Sequence, residues 1–114
     1  MGTDTNYDPE MGTNAYELEI YVEYGMTPME AILAATRNAA QAISMDKEIG
    51  TLEVGKLADI IAVQGDPLKD IRVLQDKTAI QMVMKEGTIY VDRREGQRKD
   101  VINPEIIHRW KRPV

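Results

Sequence analysis

The 114-residue chain contains no cysteine, no phenylalanine and a single histidine, His108. Without cysteine there is neither a disulfide nor a thiolate metal site, which fits a reducing compartment. A zinc centre takes three or four N, O or S donors, usually including histidines, so one histidine without cysteine cannot assemble an ordinary one. His108 sits in a polar tail and reads as a surface residue. No apolar run approaches the roughly 20 residues that span a bilayer, and the N-terminus lacks the charged-then-apolar pattern of a secretory signal. The default expectation is therefore a cytoplasmic protein with no membrane association. A net charge of -5 and the lack of a long basic run argue against nucleic acid and anionic membranes as partners. No P-loop, G-x-G-x-x-G or Ser-His-Asp pattern is present, and there is no internal repeat or low-complexity segment.

What the chain does have is ordinary for a soluble globular protein: 43% apolar and 29% charged residues, enough for one domain and one modest core. With seven Met, five Tyr and no Phe, the expected core is aliphatic and Met-filled.

Residues 1–13 are rich in Gly, Thr, Asn, Asp and Pro and read as a loop. A helix is expected from Asn14 to about Tyr24, with Asn14 as cap and Glu17 in capping-box register. Ala15, Leu18 and Val22 share its apolar face, and Gly25 suits its end. The stretch GMTPMEAILAATRNAAQAI predicts a second, longer helix. Thr27 is its N-cap, Pro28 its first residue and Glu30 the partner in the box. Met29, Ile32, Leu33, Thr36, Ala40 and Ile43 follow helical spacing and form the expected core stripe, while the alanines allow close approach on another side.

Beyond Ser44 the period changes. ADIIAV (58–63) reads as a buried strand, and Gly65-Asp66-Pro67 as a turn followed by one short helical turn. Residues 80–84 and 88–91 read as two strands joined tightly at Glu86-Gly87. DRREGQRKD mixes both charges and reads as a solvated loop, and Asn103-Pro104 suits the start of a brief helix. A hairpin and one further strand make a marginal sheet, so something else is expected to complete it.

The chemistry-bearing groups are few. Asp4, Asp8 and Glu10 cluster near the start without the spacing of a calcium loop and read, on composition alone, as solvated acids. Asp66 and Asp70 are explained by turn formation and capping.

Three stretches change this picture when taken together: GTDTNYDPEMGTNAYELEIYVEYGMTPMEAILAATRNAAQAI, IGTLEVGKLADIIAVQGDPLKDIRVL and IQMVMKEGTIYV. The segment Gly55-Lys56-Leu57-Ala58-Asp59-Ile60 follows Gly50-Thr51-Leu52, and Ala34-Ala35-Thr36-Arg37-Asn38-Ala39-Ala40 precedes both. Over residues 2–92 the chain resembles the C-terminal part of the amidohydrolase superfamily, in particular its imidazolonepropionase-like and prolidase-like members. The resemblance implies an α+β chain: the C-terminal helices of a (β/α)8 barrel, followed by the C-terminal strands of the small β-sandwich. Residues 1–48 would be the end of barrel strand eight and the terminal barrel helices, 49–92 the sandwich strands, and 93–114 a polar tail with a short helix.

Active sites of such barrels lie at the C-terminal ends of the strands. By the resemblance, Gly2-Thr3-Asp4 carries the active-site acid. Asp4 would be both metal ligand and catalytic group, binding a divalent metal (zinc for preference) or its water and shuttling the proton in hydrolysis of a C–N bond. Tyr7 and Asp8 are weaker candidates for the pocket wall, and Asp59 is expected to be structural. The H-x-H of strand one and the histidines of strands five and six do not occur in the sequence. The resemblance therefore implies a fragment, inactive and metal-free alone, whose partner is the missing N-terminal part or a second copy of itself. The contrasting expectation is a non-catalytic, self-associating α+β module.

Overall fold

The computed structural model describes residues 13–95 and the backbone of residues 99–100. Three helices come first: α1 (Tyr16–Glu23), α2 (Pro28–Ala35) and α3 (Arg37–Ala42). A sheet follows, formed by β1 (Ile60–Val63), β2 (Ile80–Lys85), β3 (Thr88–Asp92) and β4 (Lys99–Asp100), with a 3-10 helix (Ile71–Gln75) between β1 and β2. The strands pair antiparallel in the order β1-β2-β3-β4. The DRREGQRKD stretch thus holds a short fourth strand rather than loop alone, because the chain turns back along β3. The described part is an α+β arrangement, and none of its helices is long and apolar enough to cross a membrane.

The first helix starts later than its sequence suggests. Ala15 is the N-cap and already has helical dihedrals, and no side chain caps it. The Asn14 box does not form; the Tyr21 hydroxyl instead donates to Glu17 Oε1 one turn along. That bond holds the Tyr21 phenol above its usual pKa. At the other end, Gly25 takes φ 110° and its N–H reaches Val22 O at 3.1 Å, a left-handed stop that glycine adopts without a Cβ penalty.

The second helix starts as its sequence specifies. Glu30 N–H donates to Thr27 Oγ1 at 3.2 Å, and Thr27 N–H donates back to Glu30 Oε2 at 2.7 Å. It does not run on to Ile43. Thr36 breaks it, with φ -119° and ψ -90°, while its hydroxyl donates to Ile32 O at 2.7 Å.

The break redirects the expected core stripe. Of that stripe, Ala40 is buried (2%) and Ile32 packs against the core, whereas Met29 is 47% exposed and Ile43 61%; Ala31, which is not in the stripe, is fully buried (0%). Small residues face the neighbours because the elements approach closely. The main helical cluster is Leu18, Ala31 and Ile71, flanked by Tyr21, Val22, Ile32, Ala35 and Leu74. No large side chain among the described residues is fully buried.

Ile71 and Leu74 belong to the 3-10 helix, so the β1–β2 connection docks onto α1. Gly65 opens this connection at φ +118°, where a Cβ would stand 2.8 Å from Val73 Cγ2. Asp70 caps the 3-10 helix through Arg72 N–H at 3.0 Å, and Gln75 Nε2 donates to Glu19 Oε2 at 2.6 Å. The sheet itself is less covered. The principal packing contacts join helix to helix, α1 to the 3-10 helix, and strand to strand. β1 is accordingly not a buried strand: it is an edge, and Ile61 is 54% exposed.

Candidate functional site

A connected set of polar contacts lies in residues 46–59. Lys56 is the hub. Its ammonium donates to Asp46 O at 2.6 Å and Thr51 Oγ1 at 2.7 Å, and pairs with Glu53 Oε2 at 2.8 Å. Lys has three N–H donors, and this geometry supplies three acceptors to a side chain only 15% exposed. The Lys56 hydrogen bond, followed by that from Thr51, holds the Glu53 carboxyl below its ordinary pKa. Gly50 lies against α3 at φ +98°; a Cβ there would stand 2.6 Å from Ala40 Cβ and 3.2 Å from Thr36 O. The Gly50–Lys56 loop is thus pressed onto the helix break at Thr36.

Asp59 completes the segment. Its Oδ1 accepts from Glu86 N–H at 2.8 Å, and Gly87 N–H donates to Ala58 O at 3.1 Å. Glu86 and Gly87 have φ of 50° and 80°, the positive pair of a two-residue hairpin turn. Asp59 therefore fastens the β2–β3 turn to the start of β1, the structural role expected of it. What the sequence did not reveal was the Lys56 hub; the only signal for it was the G-K-x-A-D motif itself.

An open groove of about 560 Å³ lies elsewhere, lined by Tyr24, Met26, Glu30, Leu33, Arg37 and Asn38 among others. Glu30 is committed to its capping box, and Arg37 Nε donates to Asn38 Oδ1 at 3.3 Å. No acid–base pair converges in the groove.

Asp4, Tyr7, Asp8, Glu10 and His108 lie outside the described residues. Among the described residues, no group of three or more His, Cys, Asp or Glu side chains is placed to hold a metal ion. These residues do not by themselves fit a metal centre, and no catalytic step through a metal is assigned to them.

The sequence profile of the amidohydrolase family matches residues 1–90, which take in Gly2-Thr3-Asp4, the helix break and the Lys56–Asp59 segment. The chain belongs to the amidohydrolase family. Ochratoxinase of Aspergillus niger is 42% identical over 92 residues, covering 79% of this chain and 18% of that protein. Imidazolonepropionase of Symbiobacterium thermophilum is 40% identical over 75 residues, covering 66% of this chain and 18% of that one. Among solved structures, a Xaa-Pro dipeptidase with bound methionine superposes with a TM-score of 0.65 at 43% identity, covering 69% of this chain and 19% of its own. Ochratoxinase superposes with a TM-score of 0.67, covering 71% and 19%. The chain thus spans under a fifth of the length of these amidohydrolase relatives.

Proposed function

We propose that this chain is the C-terminal portion of a metal-dependent amidohydrolase that cleaves a C–N bond, in an amide of the Xaa-Pro dipeptide type or in a cyclic amide. The observation that carries this reading is the family match over residues 1–90, which includes Gly2-Thr3-Asp4. In this reading α1, α2 and α3 are terminal helices of a (β/α)8 barrel, residues 49–92 are strands of the small sandwich, and residues 93–114 are a tail. Relatives named as a Xaa-Pro dipeptidase, an imidazolonepropionase and an ochratoxinase support the substrate class.

Asp4 is assigned as the active-site acid. Zinc is the assigned metal, and its remaining donors come from polypeptide outside this chain. A bound divalent metal would supply the Lewis acid and the activated water of hydrolysis. The roles of this chain's own residues are positional. Lys56 and Gly50 hold the loop against the helix break, and Asp59 holds the hairpin; together they would set the sandwich strands against the barrel end.

The test is hydrolysis of Xaa-Pro dipeptides by the purified chain, with and without added zinc. The expected result is no turnover above the uncatalysed rate in either condition. Turnover that depends on zinc and disappears in Asp4→Asn would overturn the assignment of the remaining donors to other polypeptide.

A further inference from the structure

The family match ends at residue 90, and the catalytic reading makes no use of what the chain does next. Two arginines tie it down immediately after β3. The Arg93 guanidinium donates to Ile80 O at 3.1 Å and to Lys77 O, both beside the start of β2. Arg94 holds the Asp92 carboxylate by two parallel bonds, Nε to Oδ1 at 2.8 Å and Nη2 to Oδ2 at 2.6 Å. Such a fork fixes orientation as well as supplying energy, and Asp92 is the buried charged residue among those described, 4% exposed. The chain then turns back, and β4 lies antiparallel on β3 with Val91 opposite Asp100 and Asp92 opposite Lys99.

The backbone shows where β3 can accept more of that strand. Arg93 N–H donates to Gln81 O at 2.7 Å, toward β2. Polar groups of an antiparallel strand alternate between its two sides, so Asp92 directs its own away from β2 and exchanges both bonds with Lys99. At the other end of β3, Thr88 closes the two-residue turn against Lys85, so Ile89 also directs its N–H and C=O away from β2. The register shift between Val83 and Met84 leaves Tyr90 as an extra residue on β3, which sets the two outward residues three apart. Among the described residues, none lies opposite Ile89 on that outer side.

We infer that the chain's own next residues, 101–103, extend β4 and seal the β3 edge, with Val101 meeting Ile89. Continuity with the existing pairing carries this: Lys99 and Asp100 are already seated on β3, and Val101 is the next residue whose N–H and C=O turn toward it. Val101-Ile102 is β-branched, which suits a strand. Counting on from Val101, Ile102 falls opposite Thr88 and Asn103 opposite Gly87. Pro104 therefore falls past the end of β3, where its missing N–H is not needed, and it keeps Asn103 extended.

Charge fixes the register. Asp92 stands opposite a base, Lys99; a slip of one residue would set Asp100 opposite it instead, and a slip in either direction turns Val101 away from β3. The outward positions of the extended β4 are Asp100, Ile102 and Pro104, and charge and proline are the devices that guard natural edges. The sheet is thus closed on its β3 side by this chain itself, and polypeptide from outside the chain has no place there. The inference does not involve Asp4 and stands apart from the catalytic reading.

The test is hydrogen exchange of the Ile89 amide, followed by NMR, on the full chain and two variants checked for folding by circular dichroism. Val101→Pro removes a donor aimed at β3. Ile102→Pro removes one aimed away from it, the side on which edge strands accept proline. The wild-type Ile89 amide is expected to be protected, equally over a tenfold range of concentration. Val101→Pro should lower that protection at least about tenfold, as the loss of a doubly bonded pair implies, and Ile102→Pro should leave it unchanged. If Val101→Pro does not fold, the other two chains decide the matter, since both must fold and both must protect Ile89.

An Ile89 amide that exchanges freely in the wild-type chain would overturn the proposal. So would a folded Val101→Pro chain that keeps the protection, or an Ile102→Pro chain that loses it. Protection that rises with concentration would give the edge to a second copy and overturn it as well.

Discussion

Replacing Lys56 by methionine keeps the aliphatic stem and deletes the ammonium. The bonds lost are those to Asp46 O at 2.6 Å and Thr51 Oγ1 at 2.7 Å, both made by a side chain only 15% exposed. A hydrogen bond to a charged group contributes about 1.5–3 kcal/mol when its partner is left unsatisfied. Water can reach the freed Asp46 carbonyl and Thr51 hydroxyl, so the two together should cost about 2 kcal/mol rather than their sum. The Glu53 pair lies at the surface and adds little. For a domain of this size, about 2 kcal/mol lowers Tm by about 8–16 °C. Differential scanning calorimetry at pH 7 and one fixed protein concentration measures it. The acid limb should change as well. Glu53 has a depressed pKa in the folded chain because of Lys56 and Thr51, so its contribution is present above the unfolded carboxylate pKa and is lost as pH falls through the lower folded value. In Lys56→Met that loss is smaller, and the two stability curves converge toward acid pH. A Tm within about 2 °C of wild type at pH 7 would refute the hub.

Two other substitutions test the remaining supports. Gly50→Ala places a Cβ 2.6 Å from Ala40 Cβ at a positive φ and should destabilise by about 1–3 kcal/mol; adding Ala40→Gly relieves the overlap but not the dihedral, so the double variant should recover part of the loss in urea denaturation. Thr27→Ala removes the α2 cap and should cost about 1 kcal/mol. The Glu30 carboxyl, held low first by Thr27 N–H and then by the Thr27 hydroxyl, should titrate closer to its ordinary value in that variant, as NMR titration would report.

The features legible in the sequence are those decided by a few adjacent residues. Thr27-Pro28-Glu30 made its box, Gly25 ended α1, Asp70 capped its turn, and Glu86-Gly87 turned the hairpin, because local chemistry outweighs context at such points. Where a competing or distant partner decides, the pattern misled. Asn14 and Glu17 have capping spacing, yet Tyr21, one helical turn on, engages Glu17. The Met29–Ile43 stripe has helical spacing, yet the chain breaks at Thr36 and Gly50 packs into the break against Ala40; the residue that packs on Ala40 lies ten positions further on and has no side chain to signal it, and Ala31 is covered by Leu18 and by Ile71 forty residues away. β1 has the composition of a buried strand but lies at an edge, since an apolar run does not say what will cover it. For the site, the G-K-x-A-D motif pointed to a segment with real architecture, but only coordinates reveal that Lys56 gathers three acceptors. Asp4 rests on its motif and lies outside the described residues.

The central claim is that this chain does the work of an amidohydrolase C-terminus around Asp4. It is tested most directly by a chimera in which residues 1–90, the span of the family match, replace the matching segment of Aspergillus niger ochratoxinase, a protein 42% identical to this chain over 92 residues. Hydrolysis of that enzyme's own substrate is measured for the chimera and for its Asp4→Asn variant, with circular dichroism and zinc content recorded for both. The account predicts an active chimera and a folded variant whose kcat falls about 10²–10⁴-fold, the contribution of a general acid–base group. A folded chimera that is inactive, or an Asp4→Asn variant as active as its parent, would contradict it.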